Sequence, residues 1–416
     1  MELKVEPSGS LEGEVKAPPS KSCTHRAVII ASLADGVSGI SEPLLSSDTK
    51  ASIRACKQLG AGVSGNLKIK GVSGNLRNPN GINVDNSGTT IRILTSVCST
   101  LDEKVTLTGD LSIQKRPMQP LLDALGQLGV KTNSNNGCAP VTVRGPIINN
   151  ICSIPGNVSS QYISGLLIAG GLTCMEIRVT TEMKSKPYVD LTLDLMERFG
   201  VKVENNDYKG FTVGKGTYKA TEYTVEGDYS GAAFLLSAAA LTDSDVVVKN
   251  LFKDSKQGDK KIVEILKEMG ADIKVSKDSV RVRGGNELHG IDMDLSQTPD
   301  LMPIASVLGA LGKGKTLLHS VEHARFKESD RIDAMSRELK KMGAKIEEKK
   351  DGMILEGVKE LKGAKMKGYH DHRIVMALAV AGLRADKASV IEGAESIPVS
   401  FPGFKEVMKR LGGKLN

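Results

Sequence analysis

The chain has 416 residues, a formal net charge of +7, 40% hydrophobic residues and 25% charged residues. This length corresponds to two or three domains of ordinary size, and it allows a core large enough to fold without disulfides or metal. The composition excludes a disordered protein, and no run of about 18 apolar residues is present that could form a transmembrane helix. The first residues lack the apolar centre of a signal peptide, so we expect a soluble, cytoplasmic protein.

The cysteines do not form a zinc-binding motif, and the charge argues against a nucleic-acid-binding protein. No two of the six cysteines form a C-x-x-C motif, and isolated thiols in a chain of this size are usually small core residues. They are Cys23, Cys56, Cys98, Cys138, Cys152 and Cys174. The mild positive charge and the few aromatic residues argue against a nucleic-acid surface and suit a small anionic substrate better.

An amphipathic segment that ends in an apolar residue and a glycine recurs six times along the chain. The marker glycines are Gly60, Gly129, Gly200, Gly270, Gly343 and Gly412, at spacings of 69, 71, 70, 73 and 69 residues. Each glycine fits a helix C-cap, where a left-handed conformation is needed that only glycine adopts without strain. The alternating residues that follow, as in 201–213, predict a β-hairpin after each helix.

A second series of helical segments recurs with the same period and consists almost entirely of small and apolar residues. These segments are 25–36, 89–101, 160–172, 230–241, 301–312 and 372–383. A helix that is apolar on all sides is buried. Each unit of about 70 residues is therefore predicted to run strand, buried helix, strand, amphipathic helix and hairpin, which is an α/β arrangement.

The sixth unit ends too early to contain its own hairpin, whereas the N-terminus has two surplus strand-like segments, 3–7 and 11–17. We expect these N-terminal strands to complete the sixth unit. The prediction is then a discontinuous domain, 1–19 plus 227–416, and a continuous domain, 20–226, with three units in each. Two adjacent chain crossings, near 18–20 and 226–227, would form a hinge.

A polar cluster precedes each buried helix. The clusters are 19–26, 85–90, 157–161, 226–231, 296–300 and 369–373. Capping of the helix N–H groups explains about half of these residues. It does not explain Lys21, Arg26, Arg92 and Arg373, because cations at a positive helix end are unfavourable unless an anion is present. The pattern predicts anion sites for phosphates or carboxylates.

Three further segments are ambiguous when they are considered alone. Residues 323–331 form a charged run, and 111–117 form a basic turn before Pro117, and both fit an ordinary solvated surface. Residues 309–316 match the G-x-x-x-x-G-K-T pattern of a nucleotide-binding loop. That motif requires a strand before it and a helix after it, and here the predicted order is reversed, so we reject nucleotide binding.

Taken together, these segments resemble the 5-enolpyruvylshikimate-3-phosphate synthase family over the full length of the chain. The matching motifs, in family order, lie at 19–26, 86–92, 114–117, 159–162, 185–188, 299–300, 327–331 and 371–373. The resemblance implies a two-domain inside-out α/β barrel, in which each domain contains three βαβαββ units around parallel helices.

The resemblance also implies an activity. Members of the family transfer the enolpyruvyl group of phosphoenolpyruvate to the 5-hydroxyl of shikimate 3-phosphate and release phosphate, through a tetrahedral adduct. The step belongs to the shikimate pathway to chorismate and aromatic amino acids, and glyphosate inhibits it. We therefore expect two small anionic substrates, no metal or organic cofactor, no nucleic-acid or membrane partner, and a monomer.

The family's functional residues can be assigned where this sequence matches its motifs. The implied catalytic groups are Asp300, which orients or deprotonates the 5-hydroxyl, Glu328, which protonates the methylene carbon, and Lys21 as a second acid–base group. Shikimate 3-phosphate is expected to bind Lys21, Ser22, Arg26, Ser159, Ser160, Gln161, Ser185, Tyr188, Asp300, His323 and Lys327. Phosphoenolpyruvate is expected to bind Lys21, Asn86, Gly88, Arg116, Gln161, Arg331 and Arg373, because guanidinium groups match carboxylate and phosphate geometry.

Three positions depart from the family pattern. Cys23 replaces a small or apolar residue and leaves a thiol near the expected site. His323 stands where Asn is common, which makes its contact dependent on pH. Val399 stands where many members have a lysine that faces phosphoenolpyruvate, and valine cannot make that charged contact.

Two alternatives remain open at this point. The sister family, UDP-N-acetylglucosamine enolpyruvyl transferase, has a reactive cysteine in a mobile loop, but the matching loop here, 110–118, has none. A non-catalytic anion-binding scaffold could be built from the same units, although the presence of both Asp300 and Glu328 argues against it. Phosphate release from the two mixed substrates would separate the scaffold from the enzyme.

Overall fold

The structure is a computed structural model that describes all 416 residues, and it has a mixed α/β fold. None of its helices combines the length and the apolarity that a membrane crossing requires. The helices are α1 (Lys21–Leu33), α2 (Ser47–Gln58), α3 (Gly88–Cys98), α4 (Gln119–Gln127), α5 (Ser160–Thr173), α6 (Lys186–Arg198), α7 (Tyr229–Leu241), α8 (Lys261–Glu268), α9 (Met302–Leu311), α10 (Arg331–Lys341), α11 (His372–Leu383) and α12 (Phe404–Arg410).

The strands are short, and most have two to five residues. They are β1 (Glu2–Glu6), β2 (Glu12–Lys16), β3 (Val37–Ser41), β4 (Gly62–Ser64), β5 (Lys68–Lys70), β6 (Gly81–Asn83), β7 (Lys104–Thr108), β8 (Lys131–Asn135), β9 (Cys138–Arg144), β10 (Ile151–Ile154), β11 (Met175–Val179), β12 (Val203–Asn206), β13 (Gly210–Val213), β14 (Glu222–Thr224), β15 (Asp245–Lys249), β16 (Asp272–Val275), β17 (Ser279–Arg283), β18 (Asp292–Asp294), β19 (Lys315–His319), β20 (Lys345–Lys349), β21 (Gly352–Glu356), β22 (Lys365–Lys367), β23 (Ser389–Glu392) and β24 (Lys414–Leu415).

The strands form six sheets of four strands each. Their orders are β14-β3-β5-β4, β6-β7-β9-β8, β10-β11-β13-β12, β2-β15-β17-β16, β18-β19-β21-β20 and β22-β23-β1-β24. In every sheet the first two strands of this order are parallel and the remaining pairs are antiparallel. The strand order is therefore the same in all six sheets.

The two N-terminal strands lie in different sheets. β1 pairs with β23 and β24 in the last sheet, whereas β2 pairs in parallel with β15 in the sheet that follows α7. The expectation that both strands complete the sixth unit is therefore wrong for β2. The reason is that β14, which directly precedes α7 in the chain, pairs with β3 and not with β15. The parallel partner of β15 is therefore the N-terminal strand β2.

The chain divides into two compact units. Unit 1 contains Met1–Ser20 and Glu226–Asn416, and unit 2 contains Lys21–Val225. Within unit 1 the two chain crossings run side by side, because Pro19 bridges to Gly227 and the Ser20 amide donates to the Glu226 carbonyl at 2.8 Å.

Each unit has its own core, built around three almost completely buried helices. These are α1, α3 and α5 in unit 2 and α7, α9 and α11 in unit 1, as the small apolar segments predicted. Small residues allow close packing: a Cβ at Gly165 of α5 would lie 2.9 Å from the Arg92 carbonyl oxygen of α3. All six cysteines are free, and four are buried as expected, whereas Cys138 and Cys174 are half-buried.

Glycines end the amphipathic helices, as predicted. The six marker glycines have φ between +85° and +108°. At the first of them, the Gly60 amide donates to the Lys57 carbonyl and the Ala61 amide to the Cys56 carbonyl, each at 3.0 Å. These bonds satisfy carbonyls at the helix end that would otherwise lack partners.

A second set of glycines, which the sequence pattern did not reveal, follows the last strand of four hairpins. A Cβ on any of them would overlap a backbone carbonyl just beyond the end of a buried helix. The pairs are Gly71 with Ala34, Gly145 with Ser99, Gly284 with Thr242, and Gly357 with Gly312. Glycine is needed here for space, because the hairpin packs directly on the end of the helix.

Gly284→Ala should therefore destabilise unit 1. Its methyl group would meet the carbonyl oxygens of Thr242 and Ala239, and backbone atoms cannot move aside as a flexible side chain can. Overpacking of this kind costs about 1–3 kcal/mol in the free energy of unfolding. Gly214, which follows β13, is the matched control, because a Cβ there has open space around it. Urea unfolding of both variants tests this, and equal stabilities would contradict the packing role.

Candidate active site

The predicted site residues lie in two clusters, one in each unit. In unit 2 they surround the first turns of α1, α3, α5 and α6, and in unit 1 they surround the first turns of α9, α10 and α11. Both clusters therefore lie where helix N–H groups and helix dipoles favour anions.

Lys21, the first residue of α1, is held by a carboxylate. Its Nζ lies 3.2 Å from Oδ2 of Asp48, and both side chains are largely buried. Asp48 lies in the first turn of α2, after the N-cap Ser46. The pair fixes the direction of the lysine side chain and balances its charge.

Arg26 is completely buried and connects three helices. Its Nε donates to Thr192 Oγ1 at 2.8 Å, Nη1 to the Ser22 carbonyl at 3.0 Å, and Nη2 to the Tyr188 carbonyl at 2.9 Å and Ser164 Oγ at 3.3 Å. Of the five guanidinium N–H groups, one on Nη1 remains for a ligand. Burial among neutral acceptors lowers the pKa of Arg26 to about 10.

Asn86, Gly88 and Arg116 meet at the N-terminus of α3. Arg116 Nη2 donates to Asn86 Oδ1 at 3.3 Å and to Ser112 Oγ at 3.1 Å. A Cβ at Gly88 would lie 2.7 Å from Arg116 Nη1. The glycine therefore leaves the space that the guanidinium occupies. Asn86 is held from its other side, because its Nδ2 donates to Asp110 Oδ2 at 2.6 Å.

Gln161 lies between two elements of this cluster. Its Oε1 accepts from Arg92 Nη1 at 2.7 Å, and its Nε2 donates to Thr89 Oγ1 at 2.9 Å. Arg92 also stacks over the Tyr162 ring, 5.4 Å from the ring centroid. Arg92 was noted in the sequence as an unexplained cation, and the structure shows that it orients Gln161.

The remaining predicted residues of unit 2 lie at the starts of α5 and α6. Ser159 caps α5 by accepting the Gln161 amide at 3.3 Å, and Ser160 is the first residue of that helix. Ser185 precedes α6 in a left-handed conformation, with φ of +58°. Tyr188 lies in the first turn of α6, where its carbonyl accepts from Arg26.

Arg331 is the centre of the cluster in unit 1. Its side chain is only 1% exposed, and three carboxylates surround it. Nη1 lies 2.7 Å from Asp300 Oδ1, Nη2 lies 2.7 Å from Glu328 Oε2, and Nε lies 2.9 Å from Asp371 Oδ2. Burial lowers the pKa of Arg331, but the charges of Asp371, Glu328 and Asp300 outweigh it and raise the pKa well above its ordinary value.

Asp300 contacts three cations. Besides Arg331, Nη2 of Arg373 lies 3.0 Å from its Oδ2, and Nζ of Lys327 lies 3.6 Å from its Oδ1. Asp300 sits in a 3₁₀ turn, Pro299–Leu301, just before α9. The two candidate acid–base carboxylates, Asp300 and Glu328, are thus joined through different nitrogens of one arginine.

Asp371 has two roles in this cluster. Its Oδ1 accepts the Arg373 amide at 2.9 Å and so caps α11, while its Oδ2 accepts from Arg331 and from Ser329 Oγ at 3.0 Å. It is fully buried. One carboxylate therefore orients the loop that carries Glu328 and the helix that carries Arg373.

The charged run 323–331 separates into two groups with different partners. Arg325 pairs with Asp330 at 2.8 Å and with Glu348 at 2.9 Å. Asp330 also caps α10 by accepting the Asp333 amide at 3.0 Å. These contacts are structural. In the second group, Lys327 contacts Asp300 and Glu328 contacts Arg331. His323 lies in the 3₁₀ turn Glu322–Phe326, half-buried.

Asp259 lies beside this cluster and was not predicted as a site residue. Its carboxylate is buried at the N-terminus of α7 and accepts from Ser230 Oγ. Burial and the charge of Asp300, only partly offset by Arg373, raise the pKa of Asp259 to about 6.

Four residues of the two clusters were not assigned a role from the sequence, namely Asp48, Arg92, Asp259 and Asp371. Arg92 was noted as an unexplained cation and Asp371 lies in a recognised motif, but the sequence did not show which residues they contact. Asp48 and Asp259 lie near the starts of amphipathic helices, where a carboxylate is ordinary. Only the tertiary structure reveals what they contact.

The three departures from the family pattern also have places in the structure. Cys23 is buried on α1. Val399 is half-buried at the end of a 3₁₀ helix, Ala394–Val399. The rejected nucleotide-binding pattern, 309–316, runs from the end of α9 into β19, in the order helix, turn, strand. The predicted order of elements around this pattern is confirmed.

Both the sequence and the fold match known proteins. The family model described as EPSP synthase (3-phosphoshikimate 1-carboxyvinyltransferase) matches residues 5–408. The chain is 50% identical to the 3-phosphoshikimate 1-carboxyvinyltransferase of Methanocaldococcus jannaschii, with 99% of each chain covered. It is 47% identical to that of Methanothermobacter thermautotrophicus, with 100% of each covered. The solved structure of EPSP synthase from Acinetobacter baumannii has a TM-score of 0.84 at 28% identity, covering 100% of this chain and 99% of that one.

Asp259→Asn should change how stability depends on pH. Because its pKa is raised from about 4 in the unfolded chain to about 6 in the folded protein, the folded state binds this proton more tightly. The wild type should therefore gain stability over the variant on acidification, and lose that gain as the pH rises through about 6. Urea unfolding of both proteins from pH 4 to 7 tests this, and a constant difference would contradict the assigned environment.

Proposed function

The chain belongs to the EPSP synthase family, and on this basis we propose which residues carry out each part of its reaction. The enzyme transfers the enolpyruvyl group of phosphoenolpyruvate to the 5-hydroxyl of shikimate 3-phosphate and releases phosphate. The step belongs to the shikimate pathway of aromatic amino-acid biosynthesis. The alternative, UDP-N-acetylglucosamine enolpyruvyl transfer, is not favoured by the comparisons.

The architecture is proposed to consist of six βαβαββ units, three in each domain, in an inside-out α/β barrel. The identical strand order of the six sheets supports this. The proposed domains are 1–19 plus 227–416 and 20–226. We further propose that the enzyme is a monomer and that it is cytoplasmic, and its six free cysteines are consistent with a cytoplasmic location.

Shikimate 3-phosphate is assigned first to unit 2. The proposed ligands there are Lys21, Ser22, Arg26, Ser159, Ser160, Gln161, Ser185 and Tyr188. Three helix N-termini and two basic side chains suit a phosphate ester, and hydroxyl and amide groups suit its ring hydroxyls. Arg26 contributes mainly by holding the Ser22 and Tyr188 carbonyls, with one N–H left for the substrate. Asp300, His323 and Lys327 complete the assignment from unit 1.

Phosphoenolpyruvate is assigned to the cations of both clusters. Its proposed ligands are Lys21, Asn86, Gly88, Arg116, Gln161, Arg331 and Arg373. The support is geometric: Gly88 leaves room for the Arg116 guanidinium, and carboxylates hold Arg331 and Arg373 in place. Guanidinium groups fixed in this way bind carboxylate and phosphate with little loss of conformational freedom. Val399 offers no charge at its position.

The chemistry is assigned to Asp300, Glu328 and Lys21. Asp300, which lies beside two arginines and a lysine, accepts the proton of the 5-hydroxyl as the hydroxyl oxygen attacks C2 of phosphoenolpyruvate. Glu328, once it carries a proton taken from solvent, delivers that proton to C3, and this gives the tetrahedral adduct. In the second step the Glu328 carboxylate takes a proton back from the new methyl group, the C–O bond to phosphate breaks, and Lys21 protonates the leaving phosphate. The observation that carries this assignment is the bridge from Arg331 to both Asp300 and Glu328.

The experiment that tests the function is phosphate release from shikimate 3-phosphate and phosphoenolpyruvate by the purified protein, in a chelating buffer. Release that requires both substrates is the expected result. Folded protein that releases no phosphate above background would contradict the enzyme and favour the non-catalytic scaffold.

Glu328→Gln should lose most turnover and keep its affinity for shikimate 3-phosphate. The substitution preserves the shape of the side chain and removes the proton donor, and such groups contribute about 10²–10⁴ in rate. Glu348→Gln is the matched control, because Glu348 pairs with the structural Arg325. Turnover and calorimetric binding are the measurements. A Glu328→Gln variant that turns over as fast as the control would remove Glu328 from the mechanism.

A further inference from the structure

A buried chain of four polar side chains connects three helices of unit 2. His25 Nδ1 on α1 lies 2.8 Å from Ser52 Oγ on α2. Ser52 Oγ lies 2.7 Å from Thr90 Oγ1 on α3, which lies 2.6 Å from Ser87 Oγ, the N-cap of α3. All four side chains are fully buried. These four side chains form a continuous hydrogen-bonded path from the start of α1 to the start of α3.

The two ends of this chain adjoin residues assigned to different substrates. His25 lies one turn after Lys21 on α1 and directly before Arg26. At the far end, Ser87 lies between Asn86 and Gly88. None of the four residues is itself assigned to a substrate, so the proposed mechanism does not explain why these side chains are hydrogen-bonded to one another.

The protonation of His25 sets the direction of the hydrogen bonds. Burial, with Lys21 and Arg26 nearby, lowers the pKa of His25 well below its ordinary value, so the ring is neutral and carries one N–H. Nε2 is buried and has no hydrogen-bond partner. Because a buried N–H without a partner is rarer than an unsatisfied acceptor, the proton is best placed on Nδ1, where it donates to Ser52.

This direction has a consequence at the other end of the chain. When Ser52 accepts from His25, its own hydroxyl donates to Thr90, and Thr90 donates to Ser87. Ser87 then accepts both the Thr90 hydroxyl and the Thr90 amide, the latter at 3.3 Å. The N-cap of α3, and with it the turn that carries Asn86 and Gly88, is thus oriented from α1.

We propose that His25 is a positioning residue that couples the start of α1 to the phosphoenolpyruvate-binding turn at the start of α3 through Ser52 and Thr90. The proposal rests on the function proposed above. A merely structural network would predict that breaking it lowers stability and leaves substrate affinities unchanged.

The test compares His25→Leu with His25→Asn. Leucine removes the donor, whereas the asparagine amide can place its Nδ2 near the position of Nδ1 and donate to Ser52. We expect His25→Leu to raise the KM for phosphoenolpyruvate about fivefold or more, the scale of one buried hydrogen bond, and His25→Asn to restore most of it. Ser32→Ala is the control, because the Ser32 hydroxyl of the same helix donates to its own helix at Ile29. It should lower the melting temperature without changing the KM.

A double substitution tests the path itself. Thr90→Val breaks the same chain, so the effects of His25→Leu and Thr90→Val on the KM should not add. If His25→Leu does not fold, Ser52→Ala, which removes a single hydroxyl, must show the same increase. Unchanged KM values in an active enzyme, or additive effects of His25→Leu and Thr90→Val on the KM, would overturn the proposed role of His25. Neither result would affect the proposed function. An inactive wild type would instead overturn the proposed function and this role together.

Discussion

The arrangement of unit 1 depends on one buried ion pair, between Asp371 and Arg331. Asp371 caps α11 with one oxygen and holds Arg331 with the other, and Arg331 in turn holds Asp300 and Glu328. Desolvating these charges is costly, and the neighbouring hydrogen bonds and opposite charges offset that cost. The pair therefore matters more for position than for stability: it gives two carboxylates and two arginines fixed directions before any substrate binds.

Unit 2 holds its cations in a different way. Arg26 and Arg92 donate to neutral oxygens, and Arg92 also stacks on an aromatic ring, whereas Lys21 is paired with a carboxylate. Neutral acceptors do not cancel the positive charge of Arg26, which suits the proposed binding of phosphate. In unit 1 the carboxylates of Asp300 and Glu328 balance the charge and supply groups that can transfer protons. Both clusters thus lie at helix N-termini, which favour anions, but they balance the charges of their cations differently.

Local patterns predicted much of the fold, because their causes are local. The C-cap glycines, the buried helices and the reversed order around 309–316 all depend on residues within a few positions of one another. The sheet of β2 was predicted wrongly, because no local pattern shows that β14 pairs with β3 and leaves β15 to take β2 as its parallel partner. The basic residues were predicted to need bound anions, but Lys21 and Arg373 are already paired with Asp48 and Asp300. Such pairs form only when distant segments pack together.

The most direct test of this account is the kinetics of Asp371→Asn. Asparagine is also a good N-cap, so the substitution keeps the cap of α11 and removes the charge that holds Arg331. Asp330→Asn is the control, because Asp330 caps α10 and pairs with the structural Arg325. The account predicts that Asp371→Asn raises the KM for phosphoenolpyruvate and lowers kcat, each about tenfold or more, a change of ~1.4 kcal/mol, while the control stays near wild type. Equal kinetics in the two variants would contradict it.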